Sequence, residues 1–212
     1  MNHDNIEKMY DTKYFTHIKE ISHELLTEVN WIIRYLKGNT VLDVGCGTGK
    51  LGYLLEYYGY DVTYLDISQQ GLNNIWWTEN KICGDFSEYN IDTTYDNVIS
   101  THMIEHLTDK QFKSTLNRMK QIANFRIINI TPHPNHILFN EDETHIYRSY
   151  NELFALYYSV LPDTTVMSFD NKHRSNPLSW IKGFFEYLRQ HYFEDIMFIT
   201  DVMDLKNENC TN

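Results

Sequence analysis

Apolar positions along this chain switch repeatedly between helical and strand spacing. Ile18, Ile21, Leu25, Val29, Ile32 and Leu36 recur every three or four residues and stop at Gly38, which predicts a helix closed by a glycine. The short apolar run Val41-Leu42-Asp43-Val44 then breaks into Gly45, Gly47 and Gly49 before helical spacing resumes over 50–58, the outline of a strand, a tight turn and a helix start. Further strands are predicted at 61–65, 81–83, 97–100, 127–130, 164–169 and 196–200. Thr108 with Gln111, and Ser149 with Glu152, form capping boxes ahead of two more helices. The first carries the stripe Phe112, Leu116, Met119 and Ile122, and the second carries Leu153, Leu156 and Val160. Strands alternating with helices require an α/β fold with a doubly wound, Rossmann-like, mainly parallel sheet and helices on both faces.

Two segments depart from that alternation. Residues 171–193 separate the last two strands, and within them Pro177 starts a helix bearing Trp180, Ile181, Phe184, Phe185 and Leu188. The sixth strand ends on the carboxyl edge of the sheet, where ligands sit in open α/β folds, so this insertion reads as a helical lid over the site mouth. Near the start, Met9 to Phe15 is aromatic and irregular, either a helix N-terminus in the core or a flap over a ligand.

Nothing in the 212 residues reads as a linker or a repeat, so residues 1–212 are expected to form a single domain, with 1–38 as an N-terminal helical segment. The formal charge of -11 repels nucleic acid and favours a small-molecule partner. Cys46, Cys83 and Cys210 show neither CxxC spacing nor an even count, which suits a reducing compartment. No basic-then-apolar leader and no apolar run of membrane-spanning length are present, and a cytoplasmic location without membrane insertion is the expectation.

The glycine turn is shaped for a nucleotide-like ligand, and Asp43 narrows the choice. A carboxylate two residues before Gly45 would repel a dinucleotide's pyrophosphate, whereas it would attract the ammonium and sulfonium of S-adenosylmethionine. From Val41 to Gly49, and onward through Asp66, Asp85 and Tyr95 to Ser100, the chain resembles the class I S-adenosylmethionine-dependent methyltransferases over roughly residues 40 to 160. Ile104-Glu105-His106-Leu107, Thr131-Pro132 and His145 look like the ubiquinone-type O-methyltransferase group. The resemblance implies seven strands with an antiparallel last strand. It places Asp43, Gly45, Gly47 and Gly49 at the methionine part of the donor, Asp66 at the ribose, and Asp85 with Phe86 at the adenine, with Ile67 also among the donor-binding residues. Ser100 would face the transferable methyl.

His102, Glu105 and His106 enter the loop after the fourth strand and are the candidate catalytic residues. Imidazole titrates near neutrality, so His106 can serve as general base for a hydroxyl with Glu105 orienting it. Glu105, His106 and His145 can alternatively ligate a divalent metal. Relatives that use a metal carry a glutamate where His102 stands, so a metal-free base is favoured here. A third reading has Glu105 and His106 only organising the loop. The activity these features imply is methyl transfer to a small acceptor, most simply at oxygen. An RNA 2′-O-methyltransferase and a non-catalytic S-adenosylmethionine-binding protein are the alternatives.

Overall fold

A computed structural model describes residues 21–132, 145–146, 148–169 and 195–202. In chain order these form α1 (His23–Ile33), β1 (Thr40–Val44), α2 (Lys50–Tyr57), β2 (Asp61–Asp66), α3 (Gln69–Leu72), β3 (Lys81–Cys83), β4 (Tyr95–Thr101), α4 (Asp109–Ile122), β5 (Ala123–Pro132), α5 (Tyr150–Tyr158), β6 (Thr164–Phe169) and β7 (Asp195–Asp201). A single 3-10 turn, Ile104–His106, follows β4. One seven-stranded sheet runs β3-β2-β1-β4-β5-β7-β6. Strands β1 to β5 are parallel, and β7 is antiparallel to both of its neighbours.

The period of two along each strand divides the core between two faces. Leu42, Val98, Ile127 and Phe198 point to one face, under Phe112, Leu116 and Met119 of α4 and Leu153 and Tyr157 of α5. Their neighbours Val41, Ile99, Ile128 and Ile199 point to the other, under Val29 and Ile32 of α1 and Leu51 and Leu55 of α2. Covered on both sides, the central strands read as continuous apolar runs. The order reverses between β1 and β4, which start from one topological switch point and open a crevice at their carboxyl ends. Because β7 runs the other way, its first residue, Asp195, lies at that same edge, paired with Pro132 at the end of β5.

Both capping boxes form as expected. The first helix, however, ends at Ile33, with Arg34 as its C-cap, ahead of Gly38. Gly38 instead shapes the approach to β1. At φ +67° it lies against Asp96, and a Cβ there would fall 2.4 Å from Asp96 Oδ2. That carboxylate accepts the backbone N–H groups of Asn39 and Thr40 at 2.8 and 3.1 Å, which fixes the entry into β1. Strand β5 extends over ten residues, beginning where α4 stops. The antiparallel β6–β7 pair is present from Thr164 opposite Thr200 to Phe169 opposite Asp195. The expected lid at 171–193 and the aromatic stretch 9–15 lie outside the described residues. Among the described residues, no helix is long and apolar enough to cross a membrane.

Candidate active site

The turn after β1 is held by its own backbone and by the end of β2. Gly45 and Cys46 donate N–H bonds to the Leu65 carbonyl at 2.8 and 3.1 Å. Gly47 N–H donates to Asp66 Oδ2 at 2.7 Å, while Asp66 Oδ1 accepts the N–H of Ser68 at the same distance. Asp66 therefore joins the glycine turn to the start of α3, whose N-cap is Ser68, through a bond from Gly71 N–H at 3.1 Å. Gly45, at φ +74°, also allows a close approach: a Cβ would fall 2.6 Å from Met103 Cγ. The loop after β4 thus lies directly on the glycine turn.

Asp43 sits beneath this turn, 1% exposed, with Oδ2 lacking any hydrogen-bond partner. Burial, then the nearby charge of Asp66, pushes its carboxyl up to about 7, against a backbone hydrogen bond from Gly52. An orphaned carboxylate oxygen at the base of a cofactor turn fits a cationic ligand group. The same burial, with Asp43 and Asp66 alongside, raises the Cys46 thiol well above its ordinary range and makes it a poor nucleophile.

Farther along the crevice, Ile67 is half-buried beside Asp66, and the Cys83 thiol lies 3.7 Å from its carbonyl oxygen. Asp85 accepts from both the N–H and the hydroxyl of Ser87 at 2.7 Å, which shapes the turn after β3. Phe86 is a core residue, 5% exposed, with the Arg118 guanidinium 5.8 Å from its ring centroid. Trp77 makes edge contacts with Tyr53 and Tyr64, whereas Trp76 is 84% exposed.

Ser100 departs from the sequence expectation. Its side chain is fully buried and donates to Asn129 Oδ1 at 2.6 Å, and Asn129 Nδ2 in turn donates to the Tyr157 hydroxyl at 2.7 Å. Ser100 shares a face with Val98, so strand alternation turns it toward α5 and away from the crevice.

The loop after β4 gathers the titratable groups. His102 is the one non-glycine residue with positive φ among the described residues, at φ 52°. Its Nε2 lies 3.0 Å from Glu28 Oε1 on α1, and its Nδ1 lies 3.8 Å from Glu105 Oε1. Crowding by protein opposes the charge on this ring. The Glu28 hydrogen bond and the charges of Glu28, Asp195 and Glu105 outweigh it and push the pKa up to about 10. A ring that keeps its proton at neutral pH pairs with these carboxylates and does not accept a proton from a neighbour.

Glu105 is buried, accepts from the Thr131 hydroxyl through Oε2 at 3.2 Å and leaves Oε1 without a hydrogen-bond partner. Its carbonyl accepts the N–H of Ile146 at 2.9 Å. That bond brings His145 to His106, with ring centroids 4.8 Å apart. Glu105, His106 and His145 each offer one donor atom, and these atoms lie within 4.8 Å of one another. One carboxylate and two imidazoles suit a divalent first-row cation, and the orphaned Oε1 fits that use. Glu28, Asp195 and Arg148 escape sequence reasoning because their partners are remote in sequence. Thr131 is visible there only as part of a motif.

Residues 41–124 match the family model described as a methyltransferase domain. Over 108 residues the chain is 32% identical to the ubiquinone biosynthesis O-methyltransferase of Rickettsia bellii, an alignment covering 44% of this chain and 45% of that protein. It is 34% identical over 103 residues to the probable (S)-tetrahydroprotoberberine N-methyltransferase 2 of Papaver bracteatum, covering 44% and 28%. The chain therefore spans less than half the length of these curated relatives. In three dimensions it superposes on a SAM-dependent methyltransferase from Archaeoglobus fulgidus with a TM-score of 0.71 at 24% identity, covering 90% of this chain and 100% of that one. Residues 41–124 thus match a methyltransferase domain, and the chain shares the fold of a solved S-adenosylmethionine-dependent methyltransferase.

Proposed function

We propose that this protein transfers a methyl group from S-adenosylmethionine to a hydroxyl of a small acceptor, with His106 as the general base. The observation that carries this reading is the contact of Met103 with Gly45, which sets the turn bearing Glu105 and His106 beside the donor's turn. When bound, S-adenosylmethionine supplies an electrophilic methyl on its sulfonium. Asp43 faces the donor's ammonium, and Gly45, Gly47 and Gly49 leave room for its methionine chain. Asp66 accepts from the ribose hydroxyls while keeping its bonds to Gly47 and Ser68. Ile67 and Asp85 border the adenine. His106 takes the acceptor's proton, and Glu105, fixed by Thr131, orients the imidazole. In-line alignment and exclusion of water do the remaining work.

A second reading is favoured by the clustering of Glu105, His106 and His145. In it these three hold a divalent cation, which supplies Lewis acidity that lowers the pKa of the acceptor hydroxyl. The net charge of -11 argues for a small acceptor over RNA in either case. The relatives' names include both O- and N-methyltransferases, so the acceptor atom is what the experiment must decide.

The test follows S-adenosylhomocysteine production over a panel of hydroxylated and amine metabolites. With a metal-free base, turnover survives chelation, and His106→Ala lowers kcat about a hundredfold or more. With a metal, chelation alone stops turnover, and His145→Ala is as damaging as His106→Ala. Turnover with amines alone would overturn O-methylation. Donor binding without any product across the panel would favour a binding protein.

A further inference from the structure

Along α2 and the segment leading into β3, several large aromatic side chains face water and serve neither the core nor the chemistry proposed above. Trp76 is 84% exposed and Tyr57 78%, and Tyr53 and Tyr58 are exposed as well. These rings form one group. Trp76 meets Trp77 edge to face at a centroid distance of 6.0 Å, Trp77 meets Tyr53 in the same way at 5.0 Å, and Tyr57 follows Tyr53 one turn along α2. Single exposed apolar side chains are ordinary on a protein surface, whereas a contiguous group of them marks an interaction site.

Charge around the group gives its partner a chemistry. The Trp77 indole N–H donates to the Tyr64 hydroxyl at 3.2 Å, and the Glu56 carboxylate stands beside that hydroxyl. Burial, opposed by the Trp77 bond and reinforced by the charge of Glu56, holds the Tyr64 hydroxyl well above its ordinary range. Glu79, exposed three residues after Trp76, adds a second carboxylate, while the nearby Lys81 ammonium is committed to the Ile75 carbonyl at 2.8 Å. Aromatic faces beside carboxylates attract a cation. Elsewhere the chain meets that demand from its own arginines: Arg34 lies 4.7 Å from the Trp31 ring centroid, Arg118 5.8 Å from that of Phe86 and Arg148 5.3 Å from that of Phe112. Among the described residues, no arginine or lysine stacks on Tyr53, Tyr57, Trp76 or Trp77.

We propose that the face bearing Tyr53, Glu56, Tyr57, Trp76 and Trp77 docks an arginine-bearing, basic segment of a partner protein. A guanidinium is planar and weakly hydrated, so it stacks on the Trp76 indole while its in-plane N–H groups reach the carboxylates of Glu56 or Glu79. Lysine offers a compact, strongly hydrated charge and makes the poorer match. The formal charge of -11 complements a basic segment and repels the phosphates of nucleic acid or of an anionic lipid surface. The inference is independent of the acceptor and of the role given to His106.

The test uses the full chain at near-physiological salt and a synthetic octapeptide of alternating arginine and glycine, with lysine and citrulline versions as controls. Binding is read by tryptophan fluorescence and by indole N–H chemical shifts. The arginine peptide is expected to shift the Trp76 indole resonance and to bind several-fold more tightly than either control. Trp76→Ala and, on a different element, Tyr57→Ser should each weaken that binding about tenfold, with S-adenosylhomocysteine affinity unchanged. Both side chains are exposed, so neither substitution opens a cavity. Glu56→Gln should weaken the arginine and lysine peptides alike. No detectable peptide binding, or wild-type peptide affinity in both Trp76→Ala and Tyr57→Ser, would overturn the proposal, the latter by reducing the attraction to net charge alone. A parallel loss of S-adenosylhomocysteine binding in Trp76→Ala would return the rings to the donor site. Tighter association with phosphatidylserine vesicles than with the arginine peptide would make the face a membrane contact, and either result sinks the docking role.

Discussion

At the scale of single residues, Asp66 carries the strongest commitment. Its two oxygens already hold the glycine turn and the start of α3, and a carboxylate oxygen with one donor retains capacity for another. Removing it takes away a brace of the turn and, on the proposed reading, a charge-assisted acceptor for the donor's ribose. Asp66→Ala should weaken S-adenosylhomocysteine binding by about 2 kcal/mol or more, measured by calorimetry on a variant whose circular dichroism shows it folded. Wild-type affinity in that variant would remove Asp66 from the donor site. Its place against the glycine turn is legible in the sequence because it follows from position relative to a local motif. Ser100 is not, because its partner, Asn129, lies on the next strand of the sheet, and only strand alternation combined with the β4–β5 register shows where its hydroxyl goes. The sequence places His102 at the right edge of the sheet, yet its charge state depends on Glu28 and Asp195, which lie 74 residues before it and 93 after.

At the scale of elements, the periodicity locates every strand among the described residues, and the capping boxes mark the starts of α4 and α5, because both signals are local. What periodicity cannot reveal is how the segment before α5 reaches back to the loop after β4. Arg148 does this. Its guanidinium bonds Asp109 Oδ1 at 3.0 and 2.8 Å, donates to the Leu107 carbonyl and lies 5.3 Å from the centre of the Phe112 ring. With Ile146 bonded to the Glu105 carbonyl, this fixes His145 against His106. Arg148→Met keeps the apolar stem but leaves the Leu107 carbonyl without that donor, a loss of about 1–3 kcal/mol in urea unfolding. Donor affinity should hold while kcat falls, because the altered segment carries His145 and not the glycine turn. An unchanged kcat in the destabilised variant would show that His145 has no part in turnover.

At the scale of the whole molecule, the crevice at the sheet's carboxyl edge concentrates charge that folding must accommodate, and pH exposes it in two windows. Asp43 is raised from 3.8 to about 7, so the folded chain keeps a proton there that the unfolded chain has released. Its contribution to stability therefore falls as pH rises across that interval, by on the order of a few kcal/mol. His102 is raised from 6.5 to about 10 by Glu28, Asp195 and Glu105. Its stabilisation is complete below 6.5 and is lost as pH rises toward 10. With Asp43 facing the donor's ammonium as proposed, donor binding should run the opposite way through the lower window, since a cationic ligand favours the ionised carboxylate. Thermal melts of the ligand-free chain, in chelated buffer from pH 4 to 10, should show the melting temperature declining through both windows. The increment from S-adenosylmethionine should grow between pH 5 and 8. Asp43→Asn should flatten the lower decline and the pH dependence of that increment. Glu28→Gln should move the upper decline to lower pH and leave the lower one in place, because α1 reaches His102 and not the floor of the glycine turn. If Asp43→Asn left the lower slope intact, the charge buried beneath the turn would have to be assigned to Asp66, whose carboxyl is raised by the same burial.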